Sequence, residues 1–143
     1  MNLSDAMESV SIFLSNCVLN NLPGSIAILS KEDADNLYAQ FFVCANSESV
    51  HGADGANGEI DFEIVGPEYA RKMSASELER FNQLFSLGWK DASGNAKQIS
   101  KPITMPSDAD KVVGDAIRAL IFVYEVDIIA EWTVELMEES NNS

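Results

Sequence analysis

The spacing of apolar residues changes at Pro23 and Gly24, and this change constrains the fold more than any other feature of the sequence. Before it, apolar residues recur at steps of four and three, the spacing of one face of an amphipathic helix: Leu3, Met7, Val10, Leu14 and Cys17. Pro23 and Gly24 cannot continue a helix, so we expect it to end near Asn20. Short apolar runs follow at 25–30, 37–44 and 59–65, and they predict three strands.

The third of these runs alternates between apolar and acidic side chains. This alternation turns the apolar side chains to the core and three carboxylates to the opposite face of the sheet: Glu59, Asp61 and Glu63. Solvation by water explains an acidic row most simply, but three like charges on one face also suit a basic partner. We therefore take these three as candidate partner-binding residues. The second run carries apolar side chains on both faces, which predicts a central strand that is covered on both sides.

The second predicted helix has well-marked ends. Ser74 and Glu77 have the spacing of a capping box at its start, and Gly88 suits the left-handed position that ends a helix. A turn at 91–95 and a weak strand at 97–104 follow, and Pro102 assigns this strand to the edge of the sheet. Pro106 opens the last helical region, which has a broad apolar face.

The last helical region becomes acidic towards its end. Its apolar pattern breaks near Glu125 and restarts at Asp127, so the sequence leaves open whether one helix or two form here. We expect an acidic helix at 127–139, in which four carboxylates step along one face: Asp127, Glu131, Glu135 and Glu138. Like charges at this spacing repel each other, so this face is either solvated or a docking surface for a cationic partner.

These elements predict a single domain at 1–143. The order is a helix, three strands, a helix, one or two weak strands and a C-terminal helical pair. We expect an α+β fold in which an antiparallel sheet of three to five strands packs against N-terminal and C-terminal helices.

The charge of the chain argues against two classes of partner. The sequence contains 23 Asp and Glu residues against 9 Lys and Arg residues, a net charge of −14. Such a surface repels phosphate backbones and anionic lipid, so we expect no binding to nucleic acid or to membranes. The first basic residue is Lys31, so no positive segment precedes an apolar leader, and the two cysteines lack CxxC spacing. We expect the protein to reside in a reducing cytoplasm.

The sequence contains no recognisable catalytic or metal-binding pattern. His51 is the only histidine, and it lies in a glycine-rich stretch without a plausible nucleophile beside it. The spacing of Gly52, Gly55 and Gly58 is neither a dinucleotide fingerprint nor a P-loop, and the nearby acidic residues do not follow the EF-hand pattern. We expect no catalytic residue, no cofactor and no metal ion.

Four segments of the chain carry a family resemblance. They are Leu37-Tyr38-Ala39-Gln40-Phe41-Phe42, Glu63-Ile64-Val65-Gly66-Pro67-Glu68-Tyr69, the Ser-x-x-Glu helix that ends in Leu87-Gly88-Trp89, and Arg118-Ala119-Leu120 before Val123-Tyr124. Over residues 35–126 the chain resembles the TY-Chap and YbjN-like branch of the type III secretion chaperone-like superfamily. The resemblance implies a helix-sheet-helix fold, dimerisation and binding of other polypeptides, without catalysis or a cofactor.

Two functions follow from these features. The first is a non-enzymatic, chaperone-like module that binds another protein, either basic or partly unfolded. The alternative is an acidic immunity or inhibitor protein that neutralises a basic toxin or nuclease by charge complementarity. We also expect a homodimer, mainly because the resemblance implies dimerisation; the first helix, with its wide apolar stripe and few charges, can pack on its own sheet or on a second subunit.

Overall fold

The computed structural model describes residues 1–33, 35–44, 58–99, 103–127 and 129–139. These residues form three helices and six strands: α1 (Leu3–Leu19), β1 (Ile26–Lys31), β2 (Tyr38–Cys44), β3 (Glu59–Ile64), α2 (Ala75–Ser86), β4 (Lys90–Ala92), β5 (Asn95–Ile99), α3 (Pro106–Tyr124) and β6 (Trp132–Met137). The expectations for His51, Gly52, Gly55 and Pro102 fall outside the described residues.

The helix starts follow local sequence signals. At the start of α1, the side chain of Asn2 accepts a hydrogen bond from the Asp5 N–H at 2.8 Å. Ser74 and Glu77 form the predicted capping box of α2, in which each side chain accepts from the other residue's N–H. Pro106 occupies the first turn of α3, where its missing N–H costs no helical hydrogen bond. The helices predicted before residue 125 are confirmed.

The sheet has six strands rather than three to five, in the order β4-β5-β3-β2-β1-β6, and all neighbours are antiparallel. The α+β class is confirmed. The additional strand β4 comes from residues that the sequence assigned to a turn, because Ser93 and Gly94 alone form the turn, with positive φ angles of 55° and 95°. Since β4 covers β5, the prediction of an edge strand at 97–104 is wrong.

The predicted acidic helix at 127–139 is also wrong, because Trp132–Met137 form β6, which pairs with β1 along its length. Trp132, Val134 and Leu136 also have a spacing of two, which competes with the helical spacing in the sequence. The free edge of β1 favours the strand, since β6 pairs backbone groups of β1 that a helix would leave without partners. Glu125 ends α3 with a left-handed φ of 51°, so one helix forms in the last helical region.

The helices cover one face of the sheet. α1 and α3 pack against the sheet, and α2 packs against α3. On β2, the helix-facing side chains of Ala39, Phe41 and Val43 are buried, whereas the alternate side chains are partly exposed. The central position of β2 is confirmed, but its predicted cover on both faces is wrong for the described helices. We call the face opposite the helices the open face.

Candidate functional site

A row of mainly polar side chains crosses the open face from one edge of the sheet to the other. Cross-strand partners in an antiparallel sheet share a face, so the strand register defines the row. We call it the charged row, and it consists of Glu135, Ile28, Gln40, Glu63, Lys97 and Lys90. The row is acidic on β6, neutral on β1 and β2, acidic again on β3, and basic on β5 and β4.

Beside the charged row runs a more apolar row, formed by Met137, Ile26, Phe42 and Asp61. Ile26, Ile28 and Phe42 lie next to one another on β1 and β2 and are partly exposed, while Met137 is 46% exposed. The centre of the open face is therefore apolar, with carboxylates on both sides of it.

A pocket of about 480 Å³ opens at the β2–β3–β5 part of this face. Its wall includes three aromatic side chains, those of Tyr38, Phe42 and Tyr69, together with the carboxylate of Glu63. Gln40 Nε2 donates to Glu63 Oε1 at 3.0 Å, which fixes one carboxylate oxygen towards β2. The pocket thus combines aromatic surface with a positioned carboxylate.

Asn95 positions the neighbouring tyrosine. Its Nδ2 donates to the hydroxyl of Tyr38 at 3.2 Å, and its Oδ1 accepts from the Gly66 N–H at 3.0 Å. Asn95 is buried, and these two bonds fix the first residue of β5 against Tyr38 and the segment after β3. The Asn95 side chain therefore links the pocket wall at Tyr38 to the backbone that follows β3.

The pocket wall carries one acidic and one basic side chain, those of Glu63 and Lys97. Burial raises the pKa of Glu63, because it removes water from the carboxylate, and the charge of Lys97 partly opposes this effect. The Lys97 ammonium lies on Asp61 at 3.1 Å, so it is already paired with another carboxylate. Burial also raises the pKa of Tyr38, which keeps its hydroxyl neutral. A cation entering the pocket would compensate the charge of Glu63.

The acidic row predicted on β3 is present, but it is not freely solvated. Glu59 is buried, and its Oε2 has no hydrogen-bond partner in the part of the chain that the structure describes. Asp61 is paired with Lys97, and Glu63 is bonded to Gln40. The expectation of simple solvation is therefore wrong, while the prediction that these residues bind a partner stays a prediction.

The four C-terminal carboxylates do not share one face. The strand places Glu135 on the open face opposite Ile28, whereas Glu138 follows the end of β6. Glu131 is exposed and pairs with the N-terminal ammonium of Met1 at 3.0 Å. Asp127 lies before the strand, where its carboxylate accepts from the Ile129 N–H at 3.0 Å. Glu135 therefore joins the open face with Glu63, and the remaining C-terminal carboxylates lie elsewhere on the surface.

The sequence did not reveal Gln40, Asn95, Lys97 or Tyr69 as parts of the site. Glu63 lies opposite Gln40 on β2 and opposite Lys97 on β5, and both positions depend on strand register. No local spacing encodes this register between distant segments. The alternation of acidic residues on β3 was the one local signal that led to the site.

Comparison of this chain with family models, with curated proteins and with solved structures finds no match. Within the described ranges, no group of three His, Cys, Asp or Glu side chains converges as a metal site requires. None of the described helices has the length and apolar character needed to cross a bilayer.

Proposed function

We propose that this protein is a non-enzymatic, chaperone-like module that holds an extended, basic segment of a client polypeptide on the open face of its sheet. The observation that carries the proposal is the pocket containing Glu63 beside the apolar centre of an uncovered sheet. A client segment with a Lys or Arg next to apolar residues matches both features.

The pocket suits the cationic end of a client side chain. Ammonium and guanidinium groups bind carboxylates through charge-assisted hydrogen bonds, and they are attracted to the faces of aromatic rings. Glu63 supplies the carboxylate, and Tyr38, Phe42 and Tyr69 supply the aromatic surface. The net charge of −14 attracts basic segments from a distance and speeds their association.

The apolar centre of the open face suits the neighbouring client residues. Ile26, Ile28 and Phe42 form a contiguous apolar area that the described helices leave uncovered. Burial of such an area on binding is favourable by about 25 cal/mol per Å² before the cost of ordering the client. The resemblance to the type III secretion chaperone-like superfamily, which implies binding of polypeptides, also supports the proposal.

An aggregation assay tests the proposal. Reduced lysozyme is an unfolded basic client and reduced α-lactalbumin an unfolded acidic one, and light scattering follows the aggregation of each. We expect the protein to suppress aggregation of reduced lysozyme and to leave that of reduced α-lactalbumin unchanged. Phe42→Ser should remove more than about half of the protection, because it places a hydroxyl in the apolar centre.

Leu87→Ser is the matched control, since Leu87 is 67% exposed at the end of α2, away from the open face. Equal loss of protection in Phe42→Ser and Leu87→Ser, or equal protection of both clients, would contradict the proposal.

The surface charge also favours a second candidate, an inhibitor of a folded basic protein. All 9 Lys and Arg residues lie between Lys31 and Arg118, so α1 and β6 form a side of the molecule without any basic side chain. Native lysozyme separates the two functions, because an inhibitor binds a folded basic surface whereas a holding chaperone binds the reduced chain. Calorimetry showing tighter binding of the native form would support the inhibitor.

A further inference from the structure

The outer edge of β6 carries backbone groups that point away from the sheet. The Glu32 N–H donates to the Glu131 carbonyl at 2.9 Å, so the backbone groups of Glu131 face β1. Backbone direction alternates along a strand, and the groups of Trp132, Val134 and Leu136 therefore face outward. The contact of Trp132 confirms this direction, because its N–H and carbonyl bond Met1 at 2.9 Å and 3.1 Å on the outer side.

The outward groups of Val134 and Leu136 have no backbone partner in the described part of the chain. Unpaired N–H and carbonyl groups on an edge strand form a template for a further strand. Neither a proline nor a bulge interrupts β6, and its register with β1 is continuous. The stretch from Thr133 to Met137 is therefore geometrically ready to accept another chain.

The side chains of β6 define the chemistry of such a chain. Leu136 faces the helix side of the sheet and is 42% exposed, and Val134 on the same side is partly buried against the core. Glu135 faces the open side and is exposed. In an antiparallel addition Glu135 belongs to a pair without hydrogen bonds, in which the Cα atoms approach most closely, about 4.5 Å. A positively charged residue is therefore favoured opposite Glu135.

We infer that the outer edge of β6 accepts an extended client segment as a seventh, antiparallel strand, with a Lys or Arg opposite Glu135 and apolar residues opposite Val134 and Leu136. This inference rests on the proposed function and adds a second contact for the client, at the edge of the sheet formed by β6. Charge complementarity supports it, because neither α1 nor β6 carries a basic side chain.

The same charges oppose a second copy of this chain as the occupant. A two-fold axis at Glu135 would pair the outward groups of Val134 with those of Leu136 in the partner. It would also place the two Glu135 carboxylates directly opposite each other, and like charges in that position destabilise a strand pair. The edge is thus better matched to a basic strand than to itself.

A pair of short peptides tests the inference. The probe is a fluorescein-labelled Lys-Val-Lys-Val-Lys peptide, whose valines would lie opposite Leu136 and Val134. Its control has the same sequence with both valine nitrogens methylated, which removes the two N–H donors that face the edge. By fluorescence anisotropy at low salt, we expect the methylated peptide to bind at least about tenfold more weakly, since charge and side chains are retained but strand pairing is lost.

Variants of the protein provide the second arm. Val134→Pro removes an outward N–H and leaves the hydrogen bonds to β1 in place. We expect this variant to bind the probe about tenfold more weakly than the wild type does. Glu135→Lys should lower the affinity for the probe at least about fivefold, because the variant places a positive charge opposite the central lysine of the probe. Glu79→Lys, on the exposed side of α2, makes the same change in net charge. Its affinity for the probe should stay within about twofold of the wild-type value. If Val134→Pro fails to fold, comparison of the methylated and unmethylated peptides on the wild-type protein still tests for strand pairing.

Four results would overturn the inference. Equal affinity for both peptides would show that strand pairing is not used. Loss of probe binding in Phe42→Ser alone would place the client on the open face and leave the proposed function intact. Absence of probe binding to the wild type would overturn the edge site, with the lysozyme assay deciding the function separately. Sedimentation showing a dimer that Val134→Pro abolishes would assign the edge to a second copy.

Discussion

At the scale of single residues, Glu77 is the clearest case of a carboxylate held by the fold. Arg71 donates to both carboxylate oxygens, at 2.8 Å and 2.6 Å, and the Ser74 N–H donates at 2.9 Å. Arg71 also lies 3.6 Å from Asp35 and packs over the ring of Tyr124. The guanidinium of Arg71 is the main cause that lowers the pKa of Glu77 to about 2. This cluster fastens the start of α2 to the loop before β2.

Stability should therefore depend on pH through Glu77. Because its pKa is lower in the folded protein than in the unfolded chain, its contribution is complete above the ordinary pKa of 4.5 and is lost as the pH falls towards about 2. We expect Glu77→Gln to lower the free energy of unfolding by about 3 kcal/mol at neutral pH and by little near pH 2. Urea denaturation at several pH values measures this difference.

Glu79→Gln, on the same helix with an exposed side chain, is the control and should change stability little at any pH. A destabilisation by Glu77→Gln that does not change with pH would mean that packing, not the ion pair, is what the variant loses.

At the scale of secondary-structure elements, what the sequence predicts depends on whether an element is specified locally. The signals that start α2 and α3 are local: Ser74 and Glu77 cap α2, and Pro106 opens α3. Both helices could therefore be predicted from short stretches of sequence. For β6 the local pattern fits both a helix and a strand, and the decision depends on pairing with β1, a segment about a hundred residues earlier. The pocket beside Glu63 depends on register in the same way.

Hydrogen exchange tests this assignment of β6 directly. In the strand, the amides of Thr133 and Glu135 face β1, whereas those of Val134 and Leu136 face outward. We expect slow exchange at Thr133 and Glu135, and exchange at least about a hundredfold faster at Val134 and Leu136, as measured by NMR in native conditions. A helix would protect consecutive amides, so uniform protection across these four residues would contradict the strand.

At the scale of the whole molecule, charge is distributed unevenly as well as in excess. The segments before Lys31 and after Arg118 contain acidic but no basic side chains, and the fold brings them together as α1 and β6. Basic residues lie in the middle of the chain, including Lys90 and Lys97 at the far end of the charged row. The molecule therefore presents an acidic side with an open strand edge, and a side of mixed charge.

This distribution predicts that salt acts on stability and on client binding in opposite directions. Raising NaCl from about 20 mM to about 300 mM shortens the Debye length from about 20 Å to about 6 Å, which screens repulsion among the carboxylates. We expect the melting temperature to rise by about 4 °C, because the net charge of −14 destabilises the compact state at low salt.

Over the same range, affinity for reduced lysozyme should fall by about tenfold, because the attraction that steers a basic client is screened equally. Thermal scans and anisotropy titrations in matched buffers measure the two effects. A client affinity that rises with salt together with the melting temperature would mean that apolar burial alone holds the client, and that the carboxylates of the open face serve only to keep the protein apart from its own copies.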